Sequence, residues 1–179
     1  YNNVPVVGHS HPHVQRLVAE QLGALNTHTR YLTEPLVAYS ERLLALFPDL
    51  SAKVVYTCTG SEAVDLALRT ARYTTGARGV ICTSNAYHGV TTAAAEISPS
   101  LGPHNEIPPH VVLVDAPDLY REPAAAARER FARDVGNAID TLVDRGVGVA
   151  AMIVDSILSS DGVQADPADP IFDLKALNL

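Results

Sequence analysis

Residues 54–72 read VVYTCTGSEAVDLALRTAR. Val54–Cys58 is an apolar, β-branched run and predicts a strand. Thr59-Gly60-Ser61 is a turn of small residues. From Glu62 to about Tyr73, residues Ala63, Val64, Ala67, Leu68 and Ala71 share one helical face. A strand, a tight turn and a helix in succession place the opening turn of a helix at the carboxyl end of a strand. Gly60 lets backbone approach a ligand closely. The amides of Gly60, Ser61 and Glu62 point out of the helix start, where the dipole favours an anion without any basic side chain. The same residues spell Thr59-x-x-Glu62, a capping box that needs no ligand. On this stretch alone both readings stand.

Downstream, Val80–Thr83, Val111–Val114 and Val149–Val154 are further apolar runs that predict buried strands. Gly76 and Gly79 bracket the turn before the first of these, and a long helix is predicted over about Glu122–Asp144, with an Ala-rich start of high propensity. Alternation of strands and helices from 54 to 154 predicts an α/β domain with a mostly parallel sheet. Ligands of such sheets sit beyond the carboxyl ends of the strands. Asn85-Ala86-Tyr87-His88-Gly89 occupies one such end. Tyr87 there either stacks on a planar ring or is a half-buried loop residue. Asp155 follows the last strand and either orients a ligand, a His or a water, or caps a loop. Pro99–Pro109 carries four prolines and reads as an exposed loop.

Upstream, Tyr1–Pro12 reads as loop with a short extended stretch at Val4–Val7, followed by a helix from His13 to about Leu25. Asn26–Thr33 is turn-like. A second helix starts at Glu34, with Thr33 as N-cap and Pro35 in its first turn. Leu36, Tyr39, Leu43, Leu46 and Phe47 form its apolar stripe, and Pro48 and Asp49 end it.

The chain has 179 residues, 47% of them hydrophobic and 18% charged, enough for a domain with a substantial core. Its net charge of −7 and scattered Lys and Arg argue against nucleic acid as a partner. No apolar run approaches the roughly 18–20 residues of a membrane helix, and the sequence shows no basic n-region, apolar core and small-residue cleavage site of a signal peptide. The first residue is not Met, so the chain is expected to begin inside a longer one. Cys58 and Cys82 both read as inert thiols in buried strands, which fits a cytoplasmic protein. His9, His11 and His13 alternate, but Pro12 interrupts them and no Cys or carboxylate completes a metal set, so no metal is expected. There is no Walker loop, G-x-G-x-x-G or nucleophile elbow.

Several pieces, in order, resemble the class III (ornithine/alanine-glyoxylate type) aminotransferases, which use pyridoxal 5'-phosphate (PLP). They are Asn2-Asn3-Val4 with Val7-Gly8-His9-Ser10-His11-Pro12, and Asn26-Thr27-His28-Thr29-Arg30-Tyr31-Leu32. Next come Thr59-Gly60-Ser61-Glu62-Ala63 with Asp65-Leu66-Ala67-Leu68-Arg69, then Ala86-Tyr87-His88-Gly89. Pro117-Asp118, Tyr120-Arg121 and the strand ending in Asp155 follow. The chain looks closest to the branch that also holds phospho-lyases of phosphorylated amino alcohols.

The resemblance implies a partial fold-type I large domain over 34–165, preceded by an N-terminal loop-helix segment over 1–33 and followed by an unaligned tail, 166–179. It implies that Gly60 and Ser61 bind the PLP phosphate and that Tyr87 stacks on the pyridine ring beside His88 and Gly89. Asp155 would stand near cofactor and substrate. It also implies a homodimer taking small amines and oxo-acids. The sequence departs from the family at Cys58-Thr59, where Asn-Ser is usual, at Val64, where Asn is usual, and at Asp155, where Glu is usual. The family's Schiff-base lysine and the Asp against the pyridine nitrogen match nothing here; the only lysines are Lys53 and Lys175. The expectation is therefore a fragment of an aminotransferase without a catalytic residue of its own. The alternatives are a fragment of a phospho-lyase, or a non-catalytic chain acting only in subunit association.

Overall fold

A computed structural model describes residues 4–47 and 52–163. Contacts divide the chain into two units, Tyr1–Tyr56 and Thr57–Leu179.

The first unit holds α1 (Pro12–Ala24) and α2 (Glu34–Leu44). Both were legible from their apolar spacing, and in both a proline sits in the first turn, where its missing N–H costs nothing. Thr33 takes the N-cap position of α2 with extended backbone, but its hydroxyl makes no capping bond. The expected stop at Pro48 and Asp49 lies outside the described residues. The predicted strand at Val54–Cys58 does not form: these residues join no ladder among the described residues. Val54–Tyr56 packs instead on α2, where the Tyr56 hydroxyl meets Ser40 Oγ at 2.8 Å and the rings of Tyr39 and Tyr56 lie 6.1 Å apart. A β-branched run becomes a strand only when a neighbour supplies its hydrogen bonds.

The second unit is a three-layer α/β/α arrangement. Its elements are α3 (Gly60–Thr75), β1 (Gly79–Thr83), α4 (Thr92–Ala95), β2 (Val111–Val114), α5 (Ala124–Asp144) and β3 (Val149–Met152). The three strands are parallel in the order β2-β1-β3. β1 is central and every residue in it is buried. Because side chains alternate across a strand, Val80 and Cys82 join a core with Leu68 of α3, while Ile81 joins Phe131, Val135 and Leu142 of α5 on the opposite face. β3 is shorter and more exposed than the predicted buried strand, since it is the edge of the described sheet. Cys58 is exposed, a correction to the expectation that follows from the missing strand, whereas Cys82 is buried.

Helix α3 begins two residues before the predicted start and ends at Gly76, whose φ of +68° gives a left-handed cap. Helix α5 starts two residues late, after Pro123. The Pro99–Pro109 stretch is not a free loop. It opens with a 3₁₀ turn at Pro99–Leu101, and Ile107 packs on the core. No helix of the described residues is long and apolar enough to cross a membrane.

Candidate cofactor-phosphate site

The site is built where the start of α3 meets the segment after β1. At α3, Thr59 Oγ1 accepts the Glu62 N–H at 3.1 Å, and Glu62 Oε2 accepts the Cys58 N–H at 2.9 Å. The N-cap half of the capping box is therefore formed, and Glu62 closes it by accepting the amide one residue before the N-cap. The box draws Glu62 back onto residues 58–59 and so turns its carboxylate away from an anion at the helix start. It consumes the Glu62 amide but leaves the amides of Gly60 and Ser61 donating to no group among the described residues. The two readings of this stretch are compatible: cap and anion use different N–H groups.

β1 ends at Thr83, and Ala86 N–H closes a turn onto its carbonyl at 3.1 Å. The chain then runs back over α3. Ser61 Oγ accepts the Val90 N–H at 3.1 Å, and Thr91 Oγ1 donates to the Ser61 carbonyl at 3.4 Å. Just before these anchors Gly89 adopts φ +140°, and a Cβ there would stand 2.6 Å from Ser61 Oγ. Only glycine fits, on both steric and conformational grounds. At Gly60, by contrast, a Cβ would meet nothing within 4 Å, so the helix start is open.

Tyr87 is 39% exposed. His88 is half-buried, and its Nε2 is buried with no hydrogen-bond partner among the described residues. Burial lowers the His88 pKa below its ordinary value; Asp155 and Asp161 pull the other way. Asp155 lies past β3 and acts as the cap of the turn that follows. It accepts the Ile157 N–H at 3.1 Å, the Ser159 N–H at 2.9 Å, and the Ser159 hydroxyl. Burial would raise its pKa, but the Ser159 hydroxyl, the two amides and His88 outweigh this and hold the carboxyl below its usual range.

The structure thus brings Gly60, Ser61, His88, Gly89 and Asp155 into one neighbourhood, with Tyr87 at its rim. Two polar residues that sequence analysis passed over take part. Asp161 accepts the Thr83 hydroxyl at 2.7 Å and the Asn85 N–H at 3.3 Å, so it ties the turn after β3 to the end of β1. Ser98, fully buried, accepts the His88 N–H at 2.8 Å. Ser98 lay hidden at the edge of a Pro-rich stretch, and Asp161 in a Ser-Ser-Asp-Gly turn. A cavity of about 660 Å³ opens at the ends of β1 and β2; Asp161 lines it, but none of the six predicted site residues does. It is crossed by Arg130, whose guanidinium pairs with Glu122 at 3.1 Å and Asp134 at 3.4 Å. Among the described residues no group of three His, Cys, Asp or Glu side chains is arranged to hold a metal.

Residues 3–178 match the family "Aminotransferase class-III". The chain is similar to a Drosophila melanogaster protein named alanine–glyoxylate aminotransferase 2-like, 34% identical over 93% of this chain and 36% of that protein. It is also similar to ethanolamine-phosphate phospho-lyase homolog 1 of Caenorhabditis elegans, 31% identical over 94% of this chain and 39% of that protein. Among solved structures, a phospholyase from Arthrobacter in complex with phosphoethanolamine superposes with a TM-score of 0.81 at 35% identity, covering 99% of this chain and 43% of that one. The chain therefore spans well under half the length of these relatives. On the match across nearly all of its residues and on the shared fold, the chain belongs to the class III aminotransferase family.

Proposed function

We propose that this chain supplies the phosphate- and ring-binding part of a PLP-dependent aminotransferase, which moves an amino group between an amino donor and a 2-oxo acid or aldehyde. The observation that supports this best is the closure of Gly89 on Ser61 at the start of α3. It joins two loops beyond the sheet's carboxyl edge into one cradle with two uncommitted amides. A phosphate fits that set: the Gly60 and Ser61 amides donate along the helix axis. The Ser61 hydroxyl, which accepts from Val90, keeps its proton to donate. Tyr87 presents a ring face, His88 and Gly89 border it, and Asp155 bounds the site beside His88. Bound PLP supplies a reactive aldehyde and an electron-accepting ring, the chemistry amino transfer requires.

Neither Lys53 nor Lys175 stands at the family's lysine position, so the 179 residues alone are expected to bind PLP without transferring amino groups. The family resemblance further supports a homodimer, and the reading of both cysteines as free thiols supports a cytoplasmic protein. The test is a PLP titration of the natural-length protein followed by borohydride reduction and intact mass. A reduced adduct that is lost in Ser61→Ala combined with Gly60→Pro supports the reading; an adduct indifferent to both sinks it.

A second reading, a phospho-lyase of a phosphorylated amino alcohol, is favoured by the 35% identity to the Arthrobacter phospholyase over 99% of the chain. The two part on one assay with PLP-loaded protein. Release of inorganic phosphate from phosphoethanolamine supports the lyase; glycine formed from alanine and glyoxylate supports the aminotransferase.

A further inference from the structure

Tyr87 is gripped on both sides by one short segment. On its N-terminal side the Ala86 carbonyl accepts the Ser100 N–H at 3.2 Å. On its C-terminal side the His88 N–H donates to Ser98 Oγ at 2.8 Å. Ser98 is fully buried, and its hydroxyl in turn donates to the Ala94 carbonyl at 2.6 Å, with the Gly89 carbonyl at 3.3 Å. Asn105 locks the segment from outside: its Nδ2 donates to the Ala95 carbonyl at 2.8 Å and the Ser98 carbonyl at 3.3 Å. The peptide groups flanking Tyr87 are thus held by the Ser98 hydroxyl and the Ser100 N–H, which make no hydrogen bond to Gly60 or Ser61. Tyr87 itself is 39% exposed and pairs with no other aromatic ring among the described residues.

We propose that Ser98, held by Asn105, is a positioning residue that sets the orientation of the Tyr87 ring over the bound cofactor. This rests on the PLP reading of the site. The physical logic is that a half-exposed aromatic side chain takes its direction from its Cα–Cβ bond, and that bond is fixed only when both neighbouring peptides are fixed. Losing the Ser98 hydroxyl leaves the His88 N–H buried and unpaired, so the peptide rotates to find another acceptor and the ring turns with it. The Gly60 and Ser61 amides are set by the α3 cap, and the loop is tied to α3 by the Val90 and Thr91 bonds to Ser61, none of which involves Ser98; Ser98 reaches the cradle only through its longer 3.3 Å contact with the Gly89 carbonyl.

The experiment is the circular dichroism that bound PLP acquires in its visible absorption band, recorded with the natural-length protein in Ser98→Ala, Ser98→Thr, Asn105→Ala and Tyr87→Leu. Ser98→Ala is expected to keep PLP affinity within about threefold, since the phosphate contacts remain, while losing about half or more of the induced signal. Ser98→Thr, which keeps the hydroxyl, is expected to restore the sign and most of the amplitude. Asn105→Ala, at a less buried position, is expected to shift the signal in the same direction by less, and it carries the test if Ser98→Ala does not fold. An unchanged band in Ser98→Ala or, failing that, in Asn105→Ala overturns the inference. Tyr87→Leu separates the two levels. If it changes the band while the Ser98 and Asn105 variants do not, the site reading stands and the positioning role falls. If Tyr87→Leu also leaves the band unchanged, the stacking role of Tyr87 is itself refuted.

Discussion

Gly89 and Ser61 are in such close contact that a Cβ at position 89 would lie 2.6 Å from Ser61 Oγ and 2.9 Å from Ser61 Cα. Moving the hydroxyl aside does not relieve the second of these, because the Cα is backbone. The φ of +140° adds a conformational penalty for any L side chain. Gly89→Ala is therefore expected to destabilise the fold by about 2 kcal/mol. It is also expected to part the loop from α3, weakening PLP binding by about tenfold. Urea unfolding and a PLP titration on the same preparation check the two effects. A variant as stable and as tight as the parent would mean the contact is not what holds the loop.

The capping box at α3 separates helix stability from anion binding. Thr59→Ala removes the acceptor of the Glu62 N–H and is expected to cost about 1 kcal/mol. The amides of Gly60 and Ser61 are untouched, so PLP affinity is expected to fall by no more than about threefold once unfolding is allowed for. A large loss of affinity without loss of stability would show that Thr59 contacts the phosphate itself.

What was legible in the sequence depended on how local its cause is. The strands β1 and β2 and the helix α5 stood out because buried parallel strands are unbroken β-branched runs and because α5 repeats its apolar contacts over 21 residues. The run at Val54–Cys58 carries the same signature yet forms no ladder among the described residues, since pairing depends on a partner that the run itself does not encode. Helix α4 has four residues, too few for a period. In the site, Gly60 and Ser61 could be found from the turn between an apolar run and a helix. Their closure on Val90 spans 29 positions and is written in neither segment alone. Asp155 shows the converse: its capping bonds reach only to Ile157 and Ser159, a local pattern that the sequence itself offers as one of two roles. Ser98 escaped notice because a lone serine before a proline gives no sign of burial.

His88 makes a pH prediction with a definite sign. Burial lowers its folded pKa below the ordinary 6.5, against the opposing pull of Asp155 and Asp161. The unfolded chain therefore takes up the proton first. The stability that His88 contributes is full above pH 6.5 and is lost as pH falls from 6.5 through the folded pKa. In His88→Gln this loss is absent. The drop in urea midpoint between about pH 7.5 and about pH 5.5 is expected to be smaller in the variant than in the parent. Equal drops would show that the imidazole titrates as it does in the unfolded chain.

The two thiols should respond oppositely to an alkylating reagent. Cys82 lies buried in the central strand, and burial, helped by Asp161, pushes its pKa up to about 12. At about pH 8 only about one molecule in ten thousand carries the Cys82 thiolate, the form that reacts, and even that one is shielded from solvent. Cys58, by contrast, is exposed just before the α3 cap. Maleimide is therefore expected to add once to the folded chain, at Cys58, and a second time only in denaturant. Peptide mass mapping assigns each addition, and Cys58→Ser should abolish the fast one. Its companion Cys82→Ala should leave the fast addition intact while costing about 1 kcal/mol for the lost sulfur in the core. Rapid labelling of Cys82 in the folded chain would mean that β1 opens to solvent and that the three-layer packing around it is looser than the structure shows.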